Sequence, residues 1–265
     1  MKNILRILLL AGIAGAVLPA ASRASDEFIL NDKIAGFVPR EGVFHLLESS
    51  APAKDPVLFV WDTDYGPDWF KPYPGTDAAY KDFSGWVRAH IDPDARALLK
   101  HNRKIFKKKG WSTKKYDLIL NGQVGRIRPM NRFEAELFLL QLDLFGKPYT
   151  GEILAYVLRK GDKLRVYGYA TALQTIRPHR LSDKLETDLA DKWEFYANLH
   201  NHPFMFSDKN SSTGELVLSG DDGDVPFGLA QVENLGLQRV WLTNGFDTIE
   251  ISTHDLSVLG GIPGR

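Results

Sequence analysis

Two histidines one residue apart, His200 and His202 in Leu199-His-Asn-His-Pro203, are the residues of this 265-residue chain best suited to chemistry. They close an apolar segment, and in an extended strand residues i and i+2 face one side, so both rings can offer a nitrogen to one ion. Neutral imidazole is a common ligand for zinc, and three protein ligands with one open position is its catalytic form. Downstream, Ser219-Gly-Asp-Asp-Gly-Asp224 sets Asp221, Asp222 and Asp224 in a Gly-broken turn, from which a carboxylate can complete the set. Upstream, Glu152 heads Gly151-Glu-Ile-Leu-Ala-Tyr-Val-Leu158, a run rich in β-formers. A carboxylate that opens a buried strand beside a metal is placed to take a proton from an acidified water and pass it to a leaving amine.

The order Glu152, then His200-x-His202-Pro203, then Ser219-x-x-Asp222 resembles the JAMM (MPN-type) zinc metallopeptidase family. The resemblance implies that His200, His202 and Asp222 bind Zn2+, that Glu152 acts as acid and base, and that Ser219 stabilises the oxyanion. Asp222 is favoured because it alone satisfies Ser-x-x-Asp from Ser219; Asp221 and Asp224 stand beside it. Residues 228–251 look like the family's helix, strand, turn and final strand, so the likeness covers about the last half of the chain. It implies a C-terminal mixed β-sheet layered with helices, JAMM/cytidine-deaminase-like. The stretch from Phe204 to Leu218 is longer than the family's usual spacing, and its polar part, Ser207 to Gly214, reads as a loop that lengthens at small entropic cost. Ser207 is the other candidate serine, but Asn210 stands where its aspartate would be.

Several elements must hold these groups. Residues 76–104 have apolar positions at near-helical spacing, broken at Pro93. Arg132 to Gly146 predicts a helix closed by Gly146 and Pro148, with Glu134 and Glu136 on its polar edge. Ile153–Leu158 and Lys163–Ala170 flank the turn signal Arg159-Lys-Gly-Asp162 and predict a β-hairpin. Residues 183–198 read as a polar helix or extended segment that leads into the histidine strand. The alternation predicts an α/β layered domain over 130–265, preceded by a smaller α+β region over 25–129, rich in aromatics and turns and of unassigned role.

Composition sets the outer limits. Residues 1–24 carry a positive start, an apolar run from Ile7 to Leu18 and a small-residue cleavage site at Ser22-Arg-Ala24, which is a secretory signal peptide and implies a periplasmic or secreted protein. The apolar run is shorter than the roughly 20 residues that span a bilayer, so no stable membrane insertion is expected. The chain has no cysteine, hence no disulfide and no thiolate ligand or nucleophile. With 33 basic and 33 acidic residues, nothing global draws it to nucleic acid. The basic run Lys100 to Lys115 reads as a solvated helix end. Asp62, Asp64 and Asp68 do not make a calcium loop of the helix-loop-helix type, since Tyr73 occupies the position of the required Glu. His45, His90, His101 and His254 have no second ligand at motif-like spacing; His179 lies between Glu152 and His200 in sequence and is a candidate to line the cleft.

Three functions compete on this basis. The first is an exported zinc hydrolase of peptide or isopeptide bonds, with peptidoglycan-type cross-links within reach of its location. The second is a metal-binding or inactive relative that recognises a partner. The third, a metal-dependent nuclease suggested by the letters His-Asn-His, ranks last, because such nucleases take those residues from separated positions and usually carry net basic charge.

Overall fold

A computed structural model describes residues 42–47, 57–145, 151–171, 182–206, 211–220 and 223–262. The leader-like segment, His179, Ser207, Asp221 and Asp222 lie outside these residues. The chain is mixed α/β: a single eight-stranded mixed sheet with seven α-helices among the described residues. The strands are β1 (Val43–Leu47), β2 (Val57–Asp64), β3 (Arg126–Pro129), β4 (Glu152–Lys160), β5 (Lys163–Thr171), β6 (Glu194–Asn201), β7 (Arg239–Thr243) and β8 (Asp247–Ser252). Their spatial order is β1-β2-β5-β4-β6-β7-β8-β3, and every pair is antiparallel except β6 with β7.

The expected hairpin is present: β4 and β5 pair across the turn at Gly161, from Glu152↔Thr171 to Lys160↔Lys163. Strands β1, β2 and β3 precede residue 130, yet β2 pairs with β5 and β3 with β8, so both segments of the chain share one hydrogen-bonded sheet. The parallel β6–β7 pair requires a crossover, and α6 (Asp224–Leu235) makes it.

The helices follow their end signals. Helix α1 (Ala78–Arg88) and α2 (Ala95–Lys108) are separated at Pro93, and Asp94 caps α2 by accepting from Ala97 N–H at 2.9 Å. Helix α3 (Lys114–Leu120) precedes β3. Helix α4 (Arg132–Phe145) opens with a reciprocal cap: Asn131 Oδ1 accepts from Glu134 N–H at 2.8 Å and Glu134 Oε2 from Asn131 N–H at 2.9 Å. Helix α5 (Ser182–Ala190) leads into β6. Helix α6 ends at Gly236, whose φ of +70° is the left-handed C-cap conformation, and α7 (Thr253–Gly260) starts with a Ser252/Asp255 capping box. No described helix is long and apolar enough to cross a membrane.

Strand alternation sorts the core into layers. Leu154, Tyr156 and Leu158 of β4 pack with Val240 and Leu242 of β7 against α5, α6 and α7 through Leu185, Val225, Leu256 and Leu259. Ile153, Ala155 and Val157 face the other way and meet Ala197, Leu199, Trp241 and the Phe133, Leu137 and Leu140 face of α4. Helix α1 packs outside α4 through Phe83, Val87 and Phe138. Glu152, Leu154, His200 and His202 therefore belong to the α6 side of the sheet, and Asn201 belongs to the α4 side.

Candidate metal centre

His200 is the penultimate residue of β6 and pairs with Leu154 of β4 on one side and Leu242 of β7 on the other. His202 follows the strand; its N–H donates to Thr243 O at 3.0 Å, so β7 continues to guide the chain past the last rung of β6. The third member arrives from the first turn of α6. Asp224 Oδ2 lies 3.6 Å from His200 Nε2 and 3.4 Å from His202 Nε2. These separations exceed the usual hydrogen-bond range. They match the edge of a zinc tetrahedron, since two ligand atoms each about 2.0–2.1 Å from a tetrahedral ion lie about 3.4 Å apart.

His200, His202 and Asp224 thus form a group able to hold a metal ion, with one ligand atom from each lying within 4.8 Å of the others. No other group of three or more such residues occurs among the described residues. His200 Nε2 is buried and has no hydrogen-bond partner, a state that costs free energy unless the lone pair or proton finds another use. A divalent ion suits that unpartnered nitrogen, and two imidazoles with one carboxylate are a donor set that serves zinc and iron(II) alike. Asp222, expected as third ligand from the Ser-x-x-Asp spacing, lies outside the described residues. Among the described residues, the carboxylate brought to the histidines is Asp224, in the first turn of α6.

Ser219 is positioned by, and positions, that same aspartate. Ser219 N–H donates to Asp224 Oδ2 and Asp224 N–H donates to Ser219 Oγ, both at 2.8 Å. Gly223 lies so close that a Cβ there would sit 1.9 Å from Ser219 Oγ, which is why a glycine precedes the ligand. Glu152, at the head of β4, is half-buried on the same side of the sheet. Burial, reinforced by the Asp224 charge, pushes its carboxyl up to about 7 against the opposing pull of His202. Burial would lower His202, but the carboxylates of Asp224, Glu152 and Glu215 outweigh it and raise the imidazole to about 9. Asp224 is held well below the ordinary carboxylate range: burial works the other way, and the two histidines overcome it.

The long segment between the histidines and Ser219 is tied down where it is described. Asn102 of α2, fully buried, donates to Thr213 O at 2.9 Å and accepts from Thr213 N–H at 3.1 Å. Asn244 donates to Gly214 O at 3.2 Å, and Leu216, Val217 and Leu218 enter the core. Gly214 has φ +52°, and a Cβ there would meet the Phe204 ring at 2.5 Å. Neither asparagine carries a local sequence signal for this role.

Asp62, Asp64, Asp68 and His90 have other partners. Asp62 pairs with Arg165 at 2.7 Å, Asp64 with Lys163 and Asp68 with Lys71 at 2.6 Å, so the three aspartates are neutralised by cations. His90 stacks on Phe206 with ring centroids 4.5 Å apart. Glu134, read as the polar edge of its helix, is instead fully buried: Arg128 clasps it through two hydrogen bonds of 2.8 and 2.5 Å, and Thr248 donates to it at 2.9 Å. Compared with protein-family models, with curated proteins and with solved structures, the chain gives no match.

Proposed function

We propose that this chain is an exported, zinc-dependent hydrolase of amide bonds that works in the manner of the JAMM metallopeptidases. The observation that carries the reading is the close set of His200 Nε2, His202 Nε2 and Asp224 Oδ2, whose two histidine–aspartate separations suit the edge of a zinc tetrahedron, with Glu152 on the same side of the sheet. Zinc held by these three residues would supply a Lewis acid and lower the pKa of water toward neutrality.

The protein's own groups do the rest. Glu152 stands half-buried on the ligand side of the sheet, where its carboxylate would take a proton from water and return it to a departing amine. Ser219 Oγ accepts from Asp224 N–H, which leaves the hydroxyl proton free to donate to a developing oxyanion. In the metal-free site the two histidines hold Asp224 as a carboxylate, and an ion bound there takes over that role as the His202 proton is released. The leader-like residues 1–24 place peptides, isopeptides and peptidoglycan cross-links within the enzyme's reach.

The test is a digest of purified envelope material with products identified by mass, run alongside metal analysis. The parent is expected to carry one zinc per chain and to release amine-terminated products. His202→Ala should lose both the zinc and the products. Glu152→Gln should keep the zinc and slow hydrolysis by about 10²–10⁴-fold. A metal-free parent overturns the reading, and so does a Glu152→Gln variant with the parental rate, which would leave metal-dependent partner recognition as the better account.

A further inference from the structure

The strand of the base and the strand of the ligands part company at the site. The β4–β6 register ends at Leu154↔His200; continued residue by residue, it sets Ile153 opposite Asn201 and Gly151 opposite Pro203. Proline has no N–H, so it cannot give the rung that Gly151 O would accept. The His202 N–H serves the other neighbour, Thr243 of β7. The head of β4 thus carries backbone polar groups that the ladder does not satisfy, in a buried place where unpaired groups are costly: Gly151 is buried and Ile153 is wholly so.

The side chain of Asn201 meets both needs. Its Oδ1 accepts from Ile153 N–H at 2.6 Å, and its Nδ2 donates to Gly151 O at 3.3 Å. Asn201 is 2% exposed. It belongs to the α4 side of the sheet, opposite to His200 and His202, so it is not a ligand. The two groups it holds lie immediately before and after Glu152, and a primary carboxamide is the one short side chain with an acceptor and a donor to span them.

We infer that Asn201 is the positioning residue for Glu152: its carboxamide stands in for the missing rungs of the β4–β6 ladder and fixes the backbone of the base against the two histidines. This rests on the reading of Glu152 as the base. The middle residue of His-Asn-His is then neither a spacer nor a nuclease signature, but the part that sets the distance between acid–base group and metal ligands.

The experiment compares zinc-loaded full-length parent, Asn201→Ala and Asn201→Asp by amide hydrogen exchange, zinc content and the kinetics of the amide cleavage found in the envelope digest. In Asn201→Ala the Ile153 amide should exchange about tenfold faster while zinc content stays parental. Its kcat should fall by about 10²-fold with KM unchanged, as expected for a misplaced catalytic group. Asn201→Asp keeps the acceptor for Ile153 but turns an oxygen toward Gly151 O; it should preserve Ile153 protection and still lower kcat, and it carries the comparison if the alanine variant does not fold. Parental Ile153 exchange in Asn201→Ala overturns the inference, as does parental kcat in both variants. Loss of zinc together with activity also overturns it, because Asn201 would then hold the ligand strand and not the base. A failure of the underlying reading looks different: Glu152→Gln retains the parental rate while the Ile153 amide still depends on Asn201.

Discussion

Ser219 and Asp224 grip one another in both directions, backbone N–H to side-chain oxygen each way, at 2.8 Å. The Oδ2 that receives the Ser219 N–H is the same oxygen that lies nearest both histidine Nε2 atoms. Removing the serine hydroxyl leaves Asp224 N–H without its acceptor and loosens the carboxylate. Ser219→Ala is expected to weaken zinc binding by about 10–100-fold, the usual effect of losing an outer partner of a ligand. Competition with a chelator of known affinity measures it; unchanged affinity would mean the pair does not orient the ligand.

Stripping the metal should be visible in stability. Zinc at about 100 times its dissociation constant is expected to stabilise the stripped protein by about 2.7 kcal/mol, a rise in Tm of roughly 5–10 °C for a chain of this size. Asp224→Ala should melt at one temperature with and without zinc. A shift that survives this substitution would assign the metal to other residues.

Glu134 makes a stability prediction away from the site. It is fully buried, accepts two hydrogen bonds from Arg128 and one from Thr248, and caps the start of α4. Glu134→Ala leaves Arg128, whose side chain is 18% exposed, only its longer 3.6 Å contact with Glu250, and is expected to cost about 3 kcal/mol, the lower end for a broken buried pair. Glu134→Gln, which keeps an acceptor for Asn131 N–H, should cost less. Urea denaturation of the two variants gives the difference, and equal losses would show that the cap contributes nothing.

Asp247 gives the pH dependence. Burial first, and the nearby Asp94 charge second, raise its carboxyl above the ordinary value. The folded state therefore binds this proton more tightly than the unfolded chain, and stability from this group is present at low pH and falls as pH rises from the ordinary carboxylate range through the raised one. Asp247→Asn removes the titration. Relative to the parent, the variant should gain stability as pH rises above the ordinary carboxylate range. A difference that stays constant over that rise would contradict the assignment.

Local pattern made the histidines legible, because i and i+2 on a strand share a face whatever the rest of the fold does. Glu152 was legible for the same reason, as the polar head of a buried run. The third carboxylate stayed open in the sequence among Asp221, Asp222 and Asp224, with Asp222 favoured by spacing; of the described residues it is Asp224, in the first turn of α6, that lies with the histidines, and spacing alone does not show where that turn begins. Glu134 was misread because a helix shows its own periodicity but not the arginine that another strand will bring. The hairpin at Gly161 and the break at Pro93 followed from turn chemistry, whereas the insertion of β2 beside β5 and of β3 beside β8 came from pairings over long stretches of chain. Asn201 was visible only as the letter between two histidines; its work appears once Pro203 is seen opposite Gly151.

The buried clasp between Asn102 and Thr213 joins residues 111 positions apart. It fastens the segment that precedes Ser219 to a helix laid down much earlier, while His202 leans on β7, which is synthesised after it. Contacts this distant in sequence form late, because the intervening chain must first be ordered. The order of events follows: a nascent chain that has already displayed His200 and His202 cannot bring Asp224 to them until α6 and β7 have emerged and α2 has received its loop. A site built from His200, His202 and Asp224 is therefore complete only when elements far apart in the sequence have met.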